Sequence, residues 1–228
     1  MCFEAARRLI STDTAPERDP PLRSLQITFV GPAVGALSIT PSILRQGRSV
    51  TMVAVDMIAE AGAAARATLV FGAPRDSDIA FDADVFPDLP PPDQCPPLFP
   101  QGHASITFAT NFDVRLAAGH APLSGGDPTF TLWARFRDSQ PVHPVAALLA
   151  LADCPPPAAM TLFARPAPIS TSTWSLDLAA APRDIAGWHV LRSAGEQAAD
   201  GYALQDMTLW DSHGRRLVQG RQAVSIFI

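Results

Sequence analysis

The sequence predicts an α+β protein made of two helix-wrapped antiparallel sheets, residues 1–72 and 102–228, joined by a proline-rich linker over residues 73–101. Three observations predict it. Apolar and polar residues alternate with a period of two, which sets one face of a strand on a core, in segment after segment of both halves. Between Ala73 and Gln101, Pro87, Pro90, Pro91, Pro92, Pro96, Pro97 and Pro100 exclude regular structure from most of the stretch, because proline lacks the N–H that a helix or ladder uses. Finally, the element order of the first half recurs in the second.

In chain order, residues 3–10 (FEAARRLI) make about two turns of helix with Phe3, Ala6 and Leu9 or Ile10 on one side. After a polar, proline-containing turn, Leu25, Ile27 and Phe29 alternate with Gln26 and Thr28 as a strand does. Leu37–Leu44, Val50–Ile58 and Ala65–Phe71 continue the series, punctuated by Gly31-Pro32, Gln46-Gly47 and Ala61-Gly62. Beyond the linker, Ile106 and Phe108 predict one strand, and Phe130, Leu132, Ala134 and Phe136 predict another. The best helix begins near Pro141 or His143 and runs through VAALLALAD until CPPP stops it. It is apolar nearly all round, which predicts burial. Trp174, Leu176 and Leu178 then alternate with Thr173, Ser175 and Asp177. The last stretch, Gly187 to Ile228, reads as three long strands joined by two tight turns, with the amide of Gln222 inside the final apolar run.

Set side by side, SLQITFV, GALSITPSILRQGRS, VTMVAVDMIAEAG and AAARATLVFG correspond to STSTWSLDL, GWHVLRSAGEQAADG, YALQDMTLWDSHG and RRLVQGRQAVSIF. Each half is thus expected to be a helix followed by an antiparallel meander. One apolar helix wrapped by one curved sheet is the hot-dog unit, and two in a chain give a double hot-dog.

Composition narrows the function. The chain has 228 residues, 47% of them hydrophobic, enough for a sizeable core. Its 17 basic residues, all arginine, against 22 acidic ones give a net charge of −5 and no basic stripe, so nucleic acid is not an expected partner. Cys2, Cys95 and Cys154 are odd in number and far apart, with no C-x-x-C and no histidine at ligand spacing, which suggests neither disulfides nor zinc and fits a reducing cytoplasm. No apolar run approaches the ~20 residues of a membrane span, and MCFEAARRLI lacks the features of a signal peptide.

LWARFRD leading into PVHPVAALLALAD, STSTW at 170–174, DGY at 200–202, the turn DSHG, and Gln222 eight residues after Gly214 together resemble the acyl-CoA thioesterase family of the type II, TesB-like, double hot-dog group. The resemblance covers essentially the whole chain and is strongest from Phe130 to Phe227. It implies an acyl-CoA substrate or ligand, no cofactor, and hydrolysis of the thioester by a positioned water. Family members begin with a strand and a full-length central helix, whereas only Met1 to about Ile10 precede the first turn here. That predicts either an internal start or a first sheet open at one edge, which a homodimer or higher homo-oligomer would cover.

Members of established activity hold the water with an Asp, a Thr or Ser, and a Gln. The Asp position, four residues before the strand tryptophan, is Ser170 here, followed by Thr171 where a His is common. The middle hydroxyl falls in SAGEQ, with Ser193 nearest and Glu196 or Gln197 as alternatives. The Gln is Gln222, expected to orient the water through its amide oxygen. Its alternative role is to satisfy a buried backbone group in the last strand. An amide is no base, and a serine is a weaker one than a carboxylate, so Asp153 and His143 are the candidates to take the proton. Backbone N–H groups of Val142, His143 and Val145, at the positive end of the central helix, are the expected oxyanion donors.

Two other readings remain open. With its Asp replaced, the chain is a non-catalytic acyl-CoA or lipid-binding protein. Alternatively, Asp138-Ser139-Gln140-Pro141-Val142-His143 resembles the D-x-N-P-[LIV]-H signature of (R)-specific enoyl-CoA hydratases, which implies Asp138 and His143 as a water-activating pair. Trp133, Trp174, Trp188 and Trp210 are expected as core or interface aromatics. Arg135, Arg137, Arg192 and Arg221 are expected as solvated strand residues that could also meet CoA phosphates.

Overall fold

The computed structural model describes residues 1–11, 19–83, 85–99, 107–138 and 142–228. Two compact units form, Met1–Ala83 with Thr171–Leu178, and Asp84–Ser170 with Ala179–Ile228.

In the first unit, helix α1 (Cys2–Ile10) buries Cys2, Phe3 and Ala6, while Leu9 stays exposed. Strands β1 (Leu22–Phe29), β2 (Ser38–Gln46), β3 (Val50–Ala59) and β4 (Gly62–Gly72) follow the expected alternations. Only β2, β3 and β4 make a meander. β1 crosses to the far side and pairs with β4, Leu25 opposite Leu69, and its other edge pairs with Thr173–Asp177 of β7 (Ile169–Leu178). The expectation of a plain four-strand meander is corrected there, because pairing between strands distant in sequence leaves no local pattern.

The second unit orders its strands β10-β9-β8-β6-β5. These are β5 (Phe112–Gly119), β6 (Thr129–Phe136), β8 (His189–Ala199), β9 (Tyr202–Asp211) and β10 (Arg216–Ile226). The expected strand at Ile106 and Phe108 is also corrected. Ile106 lies outside the described residues, Phe108 is exposed in a 3-10 turn (Thr107–Asn111), and the strand is β5, where Phe112, Val114 and Leu116 alternate with Asp113 and Arg115. β8 and β9 meet in a two-residue turn, Asp200 and Gly201, both at positive φ (52° and 80°), the conformation that Asp-Gly adopts in tight hairpins.

Both faces of this second sheet are covered. On one face, Trp133, Val190 and Trp210 form a cluster with Cys95, over which Phe86 and Leu89 of the proline-rich stretch pack. Trp133 Nε1 donates to the Pro90 carbonyl at 2.9 Å, and Phe86 meets Trp210 edge-on at 6.1 Å. The stretch has one 3-10 turn (Pro92–Gln94) and a bridge from Pro97 to Arg115, so its prolines confine regular structure to short pieces while Phe86 and Leu89 still reach the sheet. The opposite face carries Phe130, Leu132, Leu191, Met207 and Leu209, all buried. Helix α2 (Pro144–Ala152) packs on β6 and buries Val145, Ala147, Leu148, Leu151 and Ala152, as its all-round apolar sequence predicts. Among the described residues, no helix is long and apolar enough to cross a membrane.

Candidate functional site

Three polar side chains interrupt the apolar face of the second sheet on three adjacent strands: Ser193 on β8, Gln205 on β9 and Gln222 on β10. All are buried, at 0%, 3% and 7% exposure. Gln205 stands directly opposite Gln222 in the ladder. On the other side it faces Gly195, while Ser193 is paired with Met207 and so sits diagonally from Gln205. That diagonal spans roughly 7–8 Å.

Burying amides here requires partners. After α2, Pro155-Pro156-Pro157 ends the helix, and the chain enters a 3-10 turn (Ala158–Leu162) that packs against β6 and β8. The N–H of Ala158 donates to Gln205 Oε1 at 2.6 Å, and Gln205 Nε2 donates to Gln222 Oε1 at 2.6 Å. Gln205 thus bridges a backbone N–H of the 3-10 turn and the Gln222 amide, and Gln222 Oε1 is held by Gln205. Gln205 escaped sequence reasoning. Its signal was its position in the run Ala203, Gln205, Met207, Leu209, where a glutamine takes a core place. Ser193 Oγ has no hydrogen-bond partner among the described residues.

The start of α2 is also on this unit. His143 is its N-cap, Nδ1 accepting from the Val145 N–H at 3.2 Å, and Pro144 fills the first helical position, where a missing N–H costs nothing. One of the three expected oxyanion donors, Val145, is therefore engaged by the cap. Val142 is 52% exposed just before it. Asp138 lies exposed in the bend after β6, and residues 139–141, which join it to His143, are outside the described residues.

Ser170 is exposed near the start of β7. Asp153 caps the far end of α2, so a nine-residue helix of about 14 Å separates it from His143. The two proton-acceptor candidates are not brought together. Loss of water around Asp153 pushes its carboxyl from 3.8 up to about 6, although part of the residue stays open to solvent. Between those two values the folded state keeps a proton that the unfolded chain has lost, so stability falls as pH rises through the window. Asp153→Asn is expected to melt with the wild type near the low end of that window and above it at about pH 8. Thermal melts of both proteins across that range check this, and parallel curves would contradict it.

The arginines are largely engaged. Arg135 pairs with Asp113 at 3.3 Å and lies over the Trp188 ring at 4.4 Å, Arg137 donates to the Phe112 carbonyl, and Arg221 pairs with Glu196. A mainly apolar cavity of about 280 Å³, lined by Ala159, Leu162, Phe163, Tyr202, Ile226 and Ile228 among others, borders the same 3-10 turn whose first N–H anchors the amide chain. Among the described residues, no group of His, Cys, Asp and Glu is arranged to hold a metal.

The fold places the chain among known structures. It is 28% identical to a conserved protein of unknown function with hot dog fold from Alicyclobacillus acidocaldarius, with a TM-score of 0.82 over 99% of this chain and 86% of that one. An acyl-CoA thioesterase II, TesB2, from Mycobacterium marinum is similar at 20% identity and TM-score 0.77, over 96% of this chain and 84% of that one. The tesB protein of Mycobacterium avium subsp. paratuberculosis is similar at 15% identity and TM-score 0.76, over 99% and 86%. The molecule is a double hot-dog α+β protein. Residues 1–72 match the acyl-CoA thioesterase N-terminal domain and residues 92–226 the acyl-CoA thioesterase C-terminal domain, so the chain belongs to the acyl-CoA thioesterase family. Among curated proteins, none matches it.

Proposed function

We propose that this chain hydrolyses acyl-CoA thioesters by direct attack of a water held at Gln222. The observation that carries the reading is the buried amide pair, Gln205 and Gln222, set in the apolar face of the second sheet of a thioesterase-family chain. Glutamines at core positions are costly unless bonded, and an amide fixed in place meets a water or thioester without reorganising. The water's oxygen attacks the thioester carbonyl, and the C–S bond breaks as the tetrahedral intermediate collapses to acid and free CoA. Ser193 adds a buried hydroxyl beside the amides, and Ser170 stands where the family places its carboxylate. The α2 start, at Val142 and His143, supplies backbone donors for the oxyanion. A nucleophilic serine needs a base in hydrogen-bond reach, and Ser193 Oγ has none among the described residues, which favours water over an acyl-enzyme.

Free-thiol release from short, medium and long acyl-CoAs tests this. Release at one or more lengths supports it. Tight binding with no release at any length leaves a ligand-binding protein, and hydration of a 2-enoyl-CoA that disappears in Asp138→Asn moves the assignment to a hydratase. The same reading includes a cytoplasmic location and a homodimer. Supporting assembly, β2 ends the strand order of the first unit with Ile43 and Leu44 exposed, an edge that a second copy would cover.

A further inference from the structure

A hydrogen-bond chain of fixed direction crosses the apolar face of the second sheet. Its origin is the Ala158 N–H, which can only donate and which is the first donor after three prolines that have none. The end of the Gln205 amide that faces it, 2.6 Å away, must therefore be oxygen. The other end of that amide is NH2, and the Gln222 atom 2.6 Å from it must be oxygen in turn. Neither amide can be turned over without setting two donors or two acceptors face to face in a buried place. One backbone N–H thus sets the orientation of both side chains, and leaves Nε2 as the end of Gln222 turned away from Gln205.

We propose that Gln205 is a positioning residue that locks Gln222 with its NH2 toward the reacting atoms, so that Gln222 serves hydrolysis as a hydrogen-bond donor. The oxygen it meets is that of the water or of the thioester carbonyl. The proton released by the water ends on the departing sulfur as the free CoA thiol, since a donor amide cannot receive it. This rests on the thioesterase reading above and reverses the polarity that an isolated look at Gln222 suggests. Gln205 touches neither substrate nor water in this account and acts only through its neighbour.

The test is a set of variants followed by kcat, KM and melting temperature with the best acyl-CoA. Gln222→Glu still accepts from Gln205 but presents oxygen at its other end. As a lost donor, it is expected to lower kcat as far as Gln222→Ala does, about 10²-fold. Gln205→Glu still accepts from Ala158 but cannot donate when ionised, so Gln222 turns over. A kcat loss of about tenfold at unchanged KM is expected, and no further loss when the change is made in Gln222→Ala. Gln205→Met, uncharged and of similar length, gives the same kcat and double-variant readings should the buried carboxylate unfold the chain. Wild-type kcat in Gln222→Glu alongside a loss in Gln222→Ala overturns the donor role alone. Gln205 losses that multiply undiminished with Gln222→Ala overturn the positioning role. Unchanged turnover in Gln222→Ala itself removes Gln222 from the site, and the thioesterase mechanism drawn here falls with this inference.

Discussion

Replacing Gln222 with alanine is expected to lower kcat for acyl-CoA hydrolysis by about 10²-fold, with little change in KM. A single preorganised hydrogen-bonding group at a reacting carbonyl contributes at that scale because its interaction strengthens as charge develops. The side chain is only 7% exposed and its oxygen is already spent on Gln205, so little of its role is binding the ground state. Removing it also leaves the Gln205 NH2 without that acceptor, at a cost of about 1–3 kcal/mol in stability. The melting temperature is therefore read beside the kinetics. A variant that stays folded at assay temperature yet turns over at the wild-type rate would take Gln222 out of the chemistry.

Trp210→Ala is expected to destabilise the chain by about 3–5 kcal/mol. The ring is 1% exposed, lies in the cluster with Cys95, Trp133 and Val190, and takes Phe86 edge-on at 6.1 Å and 83°. Its loss opens a cavity on the side where the proline-rich stretch is seated. Because that stretch has almost no ladder of its own, contacts of this kind are what hold it. Denaturant unfolding should show the loss, and cleavage by a protease within residues 85–99 should rise along with it. Trp188, partly exposed at the edge of the same cluster and meeting Arg115 and Arg135 through its ring face, provides the contrast of a ring that is not enclosed, at about 1 kcal/mol for Trp188→Ala. Equal losses in the two variants would mean that the cluster is not the seat of the stretch.

Helix α2 was legible because an apolar run with Pro144 at its start and three prolines at its end admits little else. The three closing strands were legible for the same kind of reason, their turns carrying Asp200-Gly201 and Gly214 at positive φ. β5 was missed although Phe112, Val114 and Leu116 alternate clearly, because Ile106 and Phe108 offered a shorter match just before it. The return of β1 beside β4 and its pairing with β7 follow from contacts between distant segments, on which local periodicity is silent. At the site, Gln222 was visible as an amide inside an apolar run, Ser193 came from the family resemblance as the hydroxyl nearest the expected place, and Gln205 was equally visible by position. Its meaning was not, since its donor is Ala158, 47 residues away, and only the folded chain brings that N–H to it.

The measurement that bears most directly on the central claim is the time course of CoA-thiol release through the first turnovers, with the chain concentrated enough for one equivalent of thiol to be seen and acyl-CoA in at least tenfold excess over it. Direct attack by water at Gln222 predicts release that runs linearly from the first turnover. A burst of one CoA per site followed by a slow phase, with the acyl group found covalently on the quenched chain by mass, would reveal an acyl-enzyme, and no release at any chain length would remove hydrolysis altogether.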